Sequence, residues 1–131
     1  MRKLGWVLLL IGALMLAACG DTGTAGGGGG GGGSANTITM GGTSFSGNTS
    51  VTIKAGDAVT FDDSSGGTHK LVTGTNGQFT AATGAPTEFS SADGVSFSPG
   101  DKKTVTFPTA GTYQITCVFH PSMQATITVT S

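Results

Sequence analysis

Apolar and polar residues alternate one for one through most of the chain beyond Asn36. "SVTIKAG" puts Val51 and Ile53 on one face, and "DAVTFDD" does the same with Val59 and Phe61. "KTVTFP" offers Val105 and Phe107, and "TYQITCVF" offers Tyr113, Ile115 and Cys117. "ATITVTS" closes the chain with Ala125, Ile127 and Val129 on one face and Thr126, Thr128 and Thr130 on the other. A period of two marks half-buried strands, and no stretch carries the i, i+3, i+4 spacing of a substantial amphipathic helix. Glycine and proline punctuate the pattern at "KAGD", "SSGG", "SPGD" and "PTAG", where turns are needed. Together these features predict an all-β domain, an antiparallel β-sandwich. One stretch stands apart: "TGTNGQFTAATGAPTEFSSADG", from Thr73 to Gly94, is polar and unpatterned, and is compatible with short strands or with a loop over the site.

The beginning of the chain has a different character. "MRKLGWVLLLIGALMLAAC" starts with Arg2 and Lys3 and then runs apolar from Leu8 to Ala18, broken only by Gly12. A mature spanning helix needs about 20 apolar residues. A charged start, a short apolar middle and small residues at the end are the layout of a secretory signal, here residues 1–18. Its last four residues, "LAAC", resemble a bacterial lipobox, which implies cleavage before Cys19 and lipid on the Cys19 sulfur. Residues 19–35 include eight consecutive glycines, Gly26 to Gly33. Glycine this dense buries no side chains and behaves as a flexible coil, with an r.m.s. reach of roughly 20–25 Å. The expected organisation is a signal, a lipid-anchored tether and one folded domain over 36–131, large enough for a single core.

Charge and cysteine count narrow the function. Without Arg2 and Lys3 the chain carries four lysines against seven acidic residues, a net of −3. It has no basic stripe, so nucleic acid is not an expected partner. Two cysteines in an exported protein ordinarily suggest one disulfide. With Cys19 acylated, Cys117 becomes a lone thiol in an oxidising compartment, and metal binding is a reason to keep one. Cys117 shares the parity of Tyr113 and Ile115, so it points into the sandwich at the end of its strand. His120 and Met123 follow on the turn into the last strand, which Pro121 stiffens by fixing φ.

"GTYQITCVFHPSMQATITV" resembles the C-terminal signature of the cupredoxins, the blue-copper proteins. Its Cys-x2-His-x2-Met spacing is amicyanin-like, while the separation of His69 from Cys117 is closer to that of plastocyanin. Upstream, "AGDAVTFDDSSGGTHKLV" is similar to the family's strand, loop and first histidine ligand. The resemblance implies a Greek-key sandwich and one type 1 copper ion held by His69, Cys117, His120 and Met123. A thiolate and two imidazoles suit both Cu(I) and Cu(II), and a weak axial thioether tunes the potential. Zinc gains little from a thioether. A dinuclear centre would need a second cysteine in the loop, and Gln124 is the less well-spaced alternative axial ligand. The sequence departs from the family where Asn commonly follows the first histidine. Here Lys70 stands, so Thr116 or Thr68 is expected to tie the ligand loops instead.

The resemblance implies a one-electron carrier, not an enzyme, exposing His120 beside Phe119 and Pro121. The expected partners are redox proteins such as c-type cytochromes or oxidase and reaction-centre components, met by a tethered monomer on the extracytoplasmic side of the membrane. Two other readings stand beside it: a module that delivers or buffers copper with the same four ligands, and a metal-free adhesion sandwich in which Cys117 and the histidines are incidental.

Overall fold

The structure, a computed structural model, describes residues 35–131. The expected signal, the lipidation at Cys19 and all but the last residue of the tether lie outside that range. The described residues form ten strands: β1 (Thr37–Met40), β2 (Phe45–Ser46), β3 (Ser50–Lys54), β4 (Ala58–Asp63), β5 (His69–Thr75), β6 (Gln78–Phe79), β7 (Val95–Phe97), β8 (Lys102–Thr106), β9 (Gly111–Cys117) and β10 (Gln124–Thr130). A single 3₁₀ turn, Thr87–Phe89, sits between β6 and β7. One sheet runs β2-β1-β4-β8 and the other β3-β10-β9-β5-β6, with β7 also pairing with β5 at its His69 end.

The alternating faces behave as the period-2 pattern predicts. Val51 and Ile53, Val59 and Phe61, Tyr113 and Ile115, and Ala125, Ile127 and Val129 are all buried. Leu71, Phe89, Phe97 and Phe107 complete the core between the sheets. The fold is the expected all-β sandwich, but its sheets are mixed, because β1 pairs with β4, and β3 with β10, in parallel. Neither pair is joined by a direct hairpin. Between β1 and β4 the chain crosses to the opposite sheet to form β3, and a crossover of that kind permits parallel neighbours.

Structure also appears in the unpatterned stretch. Asn76 (φ 53°) and Gly77 (φ 74°) form the tight loop between β5 and β6, with Thr75 opposite Gln78. Both central residues at positive φ make a type I′ hairpin, for which Asn-Gly is the preferred pair. Further along, Phe89 packs edge-on against Phe61, with ring centroids 5.7 Å apart at 73°. The Thr73 hydroxyl donates to the Phe89 carbonyl at 3.1 Å. This segment is attached by scattered contacts, an aromatic anchor and isolated hydrogen bonds, so it carries no repeating pattern.

At the other end of β9, the Tyr113 hydroxyl lies 2.8 Å from the Thr109 carbonyl and 3.0 Å from that of Gly84, tying two loops to the core. Replacing Tyr113 by Phe is expected to lower the unfolding free energy by about 1 kcal/mol, the net worth of one such bond. Urea titration measures it, with the midpoint falling and the slope unchanged.

Candidate metal centre

Two strands bring the chemistry together. Strand β5 begins with His69 and β9 ends with Cys117, and the strands run antiparallel with Leu71 opposite Cys117 and Val72 opposite Thr116. The start of one therefore meets the end of the other. Past Cys117, the Val118 amide donates to the Lys70 carbonyl at 2.9 Å, extending the pairing by one bond. The chain then doubles back. Met123 N–H donates to the His120 carbonyl at 2.8 Å, and Cys117 N–H donates to the Met123 carbonyl at 3.1 Å. These bonds fold the Cys117–Met123 loop closed and set His120 over the Cys117 sulfur.

The Cys117 Sγ lies 3.8 Å from His69 Nδ1 and 3.7 Å from His120 Nδ1. All three donor atoms fall within 4.8 Å of one another, and the two imidazole centroids are 5.1 Å apart. Metal–nitrogen bonds of about 2.0–2.1 Å and a metal–thiolate bond of about 2.3 Å, meeting at a trigonal angle, require N···S separations of about 3.8 Å. The spacing between the sulfur and both nitrogens matches that requirement. Cys117 and His69 are fully buried and His120 is half-buried. Met123 is also fully buried, and its backbone is bonded to both Cys117 and His120. A soft thiolate with two imidazoles beside a buried thioether is the donor set that suits copper in both oxidation states.

Behind His69 lie two residues that the sequence reading did not single out. His69 Nε2 is 3.1 Å from Ser65 Oγ and 3.8 Å from the Asp63 carboxylate. Asp63 is fully buried at the end of β4. It shares the inward parity of Val59 and Phe61 in "VTFDD", the signal by which it could have been found. Burial pushes the His69 imidazole below its ordinary value of 6.5; nearby Asp63 opposes that shift and His120 adds to it. The expectation that Thr116 or Thr68 ties the ligand loops is not met: Thr116 instead anchors the β5–β6 turn, which carries no ligand. Its buried hydroxyl accepts the Gly77 amide at 2.9 Å, whereas Thr68 is exposed. Lys70 ties them instead, through its carbonyl.

No helix among the described residues is long and apolar enough to cross a membrane. The family described as copper binding proteins, plastocyanin/azurin family, matches residues 34–130. Among solved structures, the reduced state of a proline-to-phenylalanine variant of amicyanin is 23% identical, with a TM-score of 0.55, covering 73% of this chain and 82% of that one. Amicyanin from Paracoccus versutus (Thiobacillus versutus) is 21% identical with a TM-score of 0.53, covering 73% and 81%. A Cu(I) methionine-to-alanine variant of amicyanin is 21% identical with a TM-score of 0.54, covering 71% and 79%. These structures share the fold. No curated protein sequence matches the chain.

Because folding holds the His69 pKa below 6.5, the unfolded chain takes up this proton first as pH falls. The associated stability is complete above the unfolded value and is lost as pH drops through it. Urea midpoints of the copper-free protein should therefore fall between pH 7.5 and pH 5.5. A smaller fall is expected in His69→Gln, and equal slopes in the two proteins would refute the assignment.

Proposed function

The chain belongs to the plastocyanin/azurin family of copper-binding proteins, and from that premise we propose that it is a one-electron carrier with a mononuclear type 1 centre. His69, Cys117, His120 and Met123 would hold the ion. Copper bound there supplies a Cu(I)/Cu(II) couple. The protein's part is to hold one donor arrangement that serves both states, so that little moves when an electron passes. Paired strands carry His69 and Cys117, and the Met123 and His120 backbone bonds close the loop between them.

The observation that carries this reading is the contrast in exposure around the site. Cys117, His69 and Met123 are sealed in the sandwich, while His120 reaches the surface beside Val118 (36% exposed) and Phe119 (54% exposed). These are the large hydrophobic residues exposed on the described surface. An apolar patch beside the one partly exposed ligand gives a redox partner a short path and a small contact, and small interfaces suit encounters that must release quickly. Partners of the c-type cytochrome, oxidase or reaction-centre kind would dock there. A lipid on Cys19 and the tether over 19–35 would keep the domain at the extracytoplasmic face of the membrane while letting it turn between partners.

The full-length chain loaded with one equivalent of Cu(II) should show an intense blue thiolate-to-copper band and narrow copper hyperfine splitting. Both should vanish in Cys117→Ser. Colourless or weakly bound copper would end the carrier reading. Phe119→Ser should keep the wild-type spectrum and slow electron self-exchange several-fold. An unchanged exchange rate would remove the patch from the path.

A further inference from the structure

We propose that Asp63 and Ser65 form a two-step relay that fixes which nitrogen of His69 is free for metal. The consequence for copper rests on the function proposed above, whereas the relay itself rests on hydrogen bonds of the metal-free protein.

The inference follows from counting protons at one hydroxyl. A carboxylate only accepts, so the short 2.7 Å contact between Ser65 Oγ and Asp63 Oδ1 consumes the single hydroxyl proton of Ser65. Ser65 Oγ is then left with acceptor capacity alone. One share is taken by the Gly67 amide at 3.2 Å. The other faces His69 Nε2 at 3.1 Å, and that contact is a hydrogen bond only if Nε2 carries the proton. A neutral imidazole holds one proton, so Nδ1 keeps a free lone pair, and Nδ1 is the atom that faces Cys117 Sγ at 3.8 Å. The loop is wound tightly enough to hold this geometry. Ser65 N–H also donates to Asp63 Oδ1, and a Cβ at Gly67 would come within 3.3 Å of His69 Nε2.

Asp63 does more than orient. Its second oxygen, Oδ2, is buried with no hydrogen-bond partner among the described residues. A buried carboxylate oxygen with no hydrogen-bond partner is costly unless something nearby is positive. Next to a donor set that fits a metal ion, its charge favours the more positive ion. Asp63 and Ser65 are therefore positioning residues acting through His69, with Asp63 adding a preference for Cu(II).

The test uses the full-length chain labelled with ¹⁵N-histidine, first without copper. Long-range proton–nitrogen correlation at pH 7.5 should show His69 protonated at Nε2, with His120→Gln assigning the signals. Ser65→Ala should lose that single tautomer, and Ser65→Thr, which keeps the hydroxyl, should retain it. With copper, Asp63→Asn should weaken Cu(II) binding by about 10–100-fold in competition titrations, in line with the loss of other outer partners. Cu(I) binding should weaken less, and each tenfold difference raises the reduction potential by about 59 mV. A wild-type His69 protonated at Nδ1, or a tautomer unchanged in Ser65→Ala, would overturn the relay. If Asp63→Asn does not fold, the serine variants decide alone. A wild-type chain that binds no copper would end the functional reading, and the tautomer would still decide the relay.

Discussion

The register between β5 and β9 is the constraint on which the centre depends. Leu71 opposite Cys117 places His69 just beyond the sulfur, and the Val118–Lys70 bond carries the pairing past the last residue of the strand. In a sheet, a slip of one residue turns every side chain to the opposite face. Such a slip would turn Cys117 away from the core face. The same slip would expose Tyr113 and Ile115, so core burial penalises any register that breaks the site. Burial of Tyr113, Ile115 and Cys117 on one face thus stabilises the fold and aims the ligand in a single stroke.

That coupling explains why so much was legible in the sequence. Alternation in five segments reports which face is inward, and Cys117 inherits its burial from the parity of Tyr113 and Ile115. Parity also marks Asp63, yet a carboxylate at the end of "VTFDD" reads as a turn residue because acidic groups are seldom buried unpaired. Its partner Ser65 belongs to a loop whose shape no periodicity reports. Parallel pairing of β1 with β4 and of β3 with β10 was hidden for a related reason, since a period of two is the same in either direction. The Thr73–Gly94 stretch is held by Phe89, Thr73, the Asn76-Gly77 turn and the Tyr113 hydroxyl on Gly84, isolated contacts that leave no repeat to read.

Lys70 shows a further limit. A side-chain reading notes that the residue after the first histidine departs from the family and looks to Thr116 or Thr68 to tie the ligand loops instead. The structure keeps them tied through the Lys70 carbonyl, which accepts the Val118 amide and which any residue type could supply. Backbone bonds of this sort are set by register, so they are invisible to a reading based on side-chain chemistry.

The distribution of buried and exposed donors also bears on which copper function the site suits. A module that hands copper on must let an acceptor displace its ligands one at a time, and that needs donors within reach of the partner. Here the sulfur and one imidazole are fully buried, Met123 is sealed beneath the loop, and His120 alone reaches toward solvent. Releasing the ion would require opening the Cys117–Met123 loop against the two backbone bonds that close it. Electron passage asks for none of this. It needs the ligands to stay still and one of them to approach the surface, beside side chains that a partner can cover. Val118 and Phe119 provide those side chains at the position where His120 emerges. A rigid interior with a single exposed edge opposes the exchange of an ion and suits the exchange of an electron.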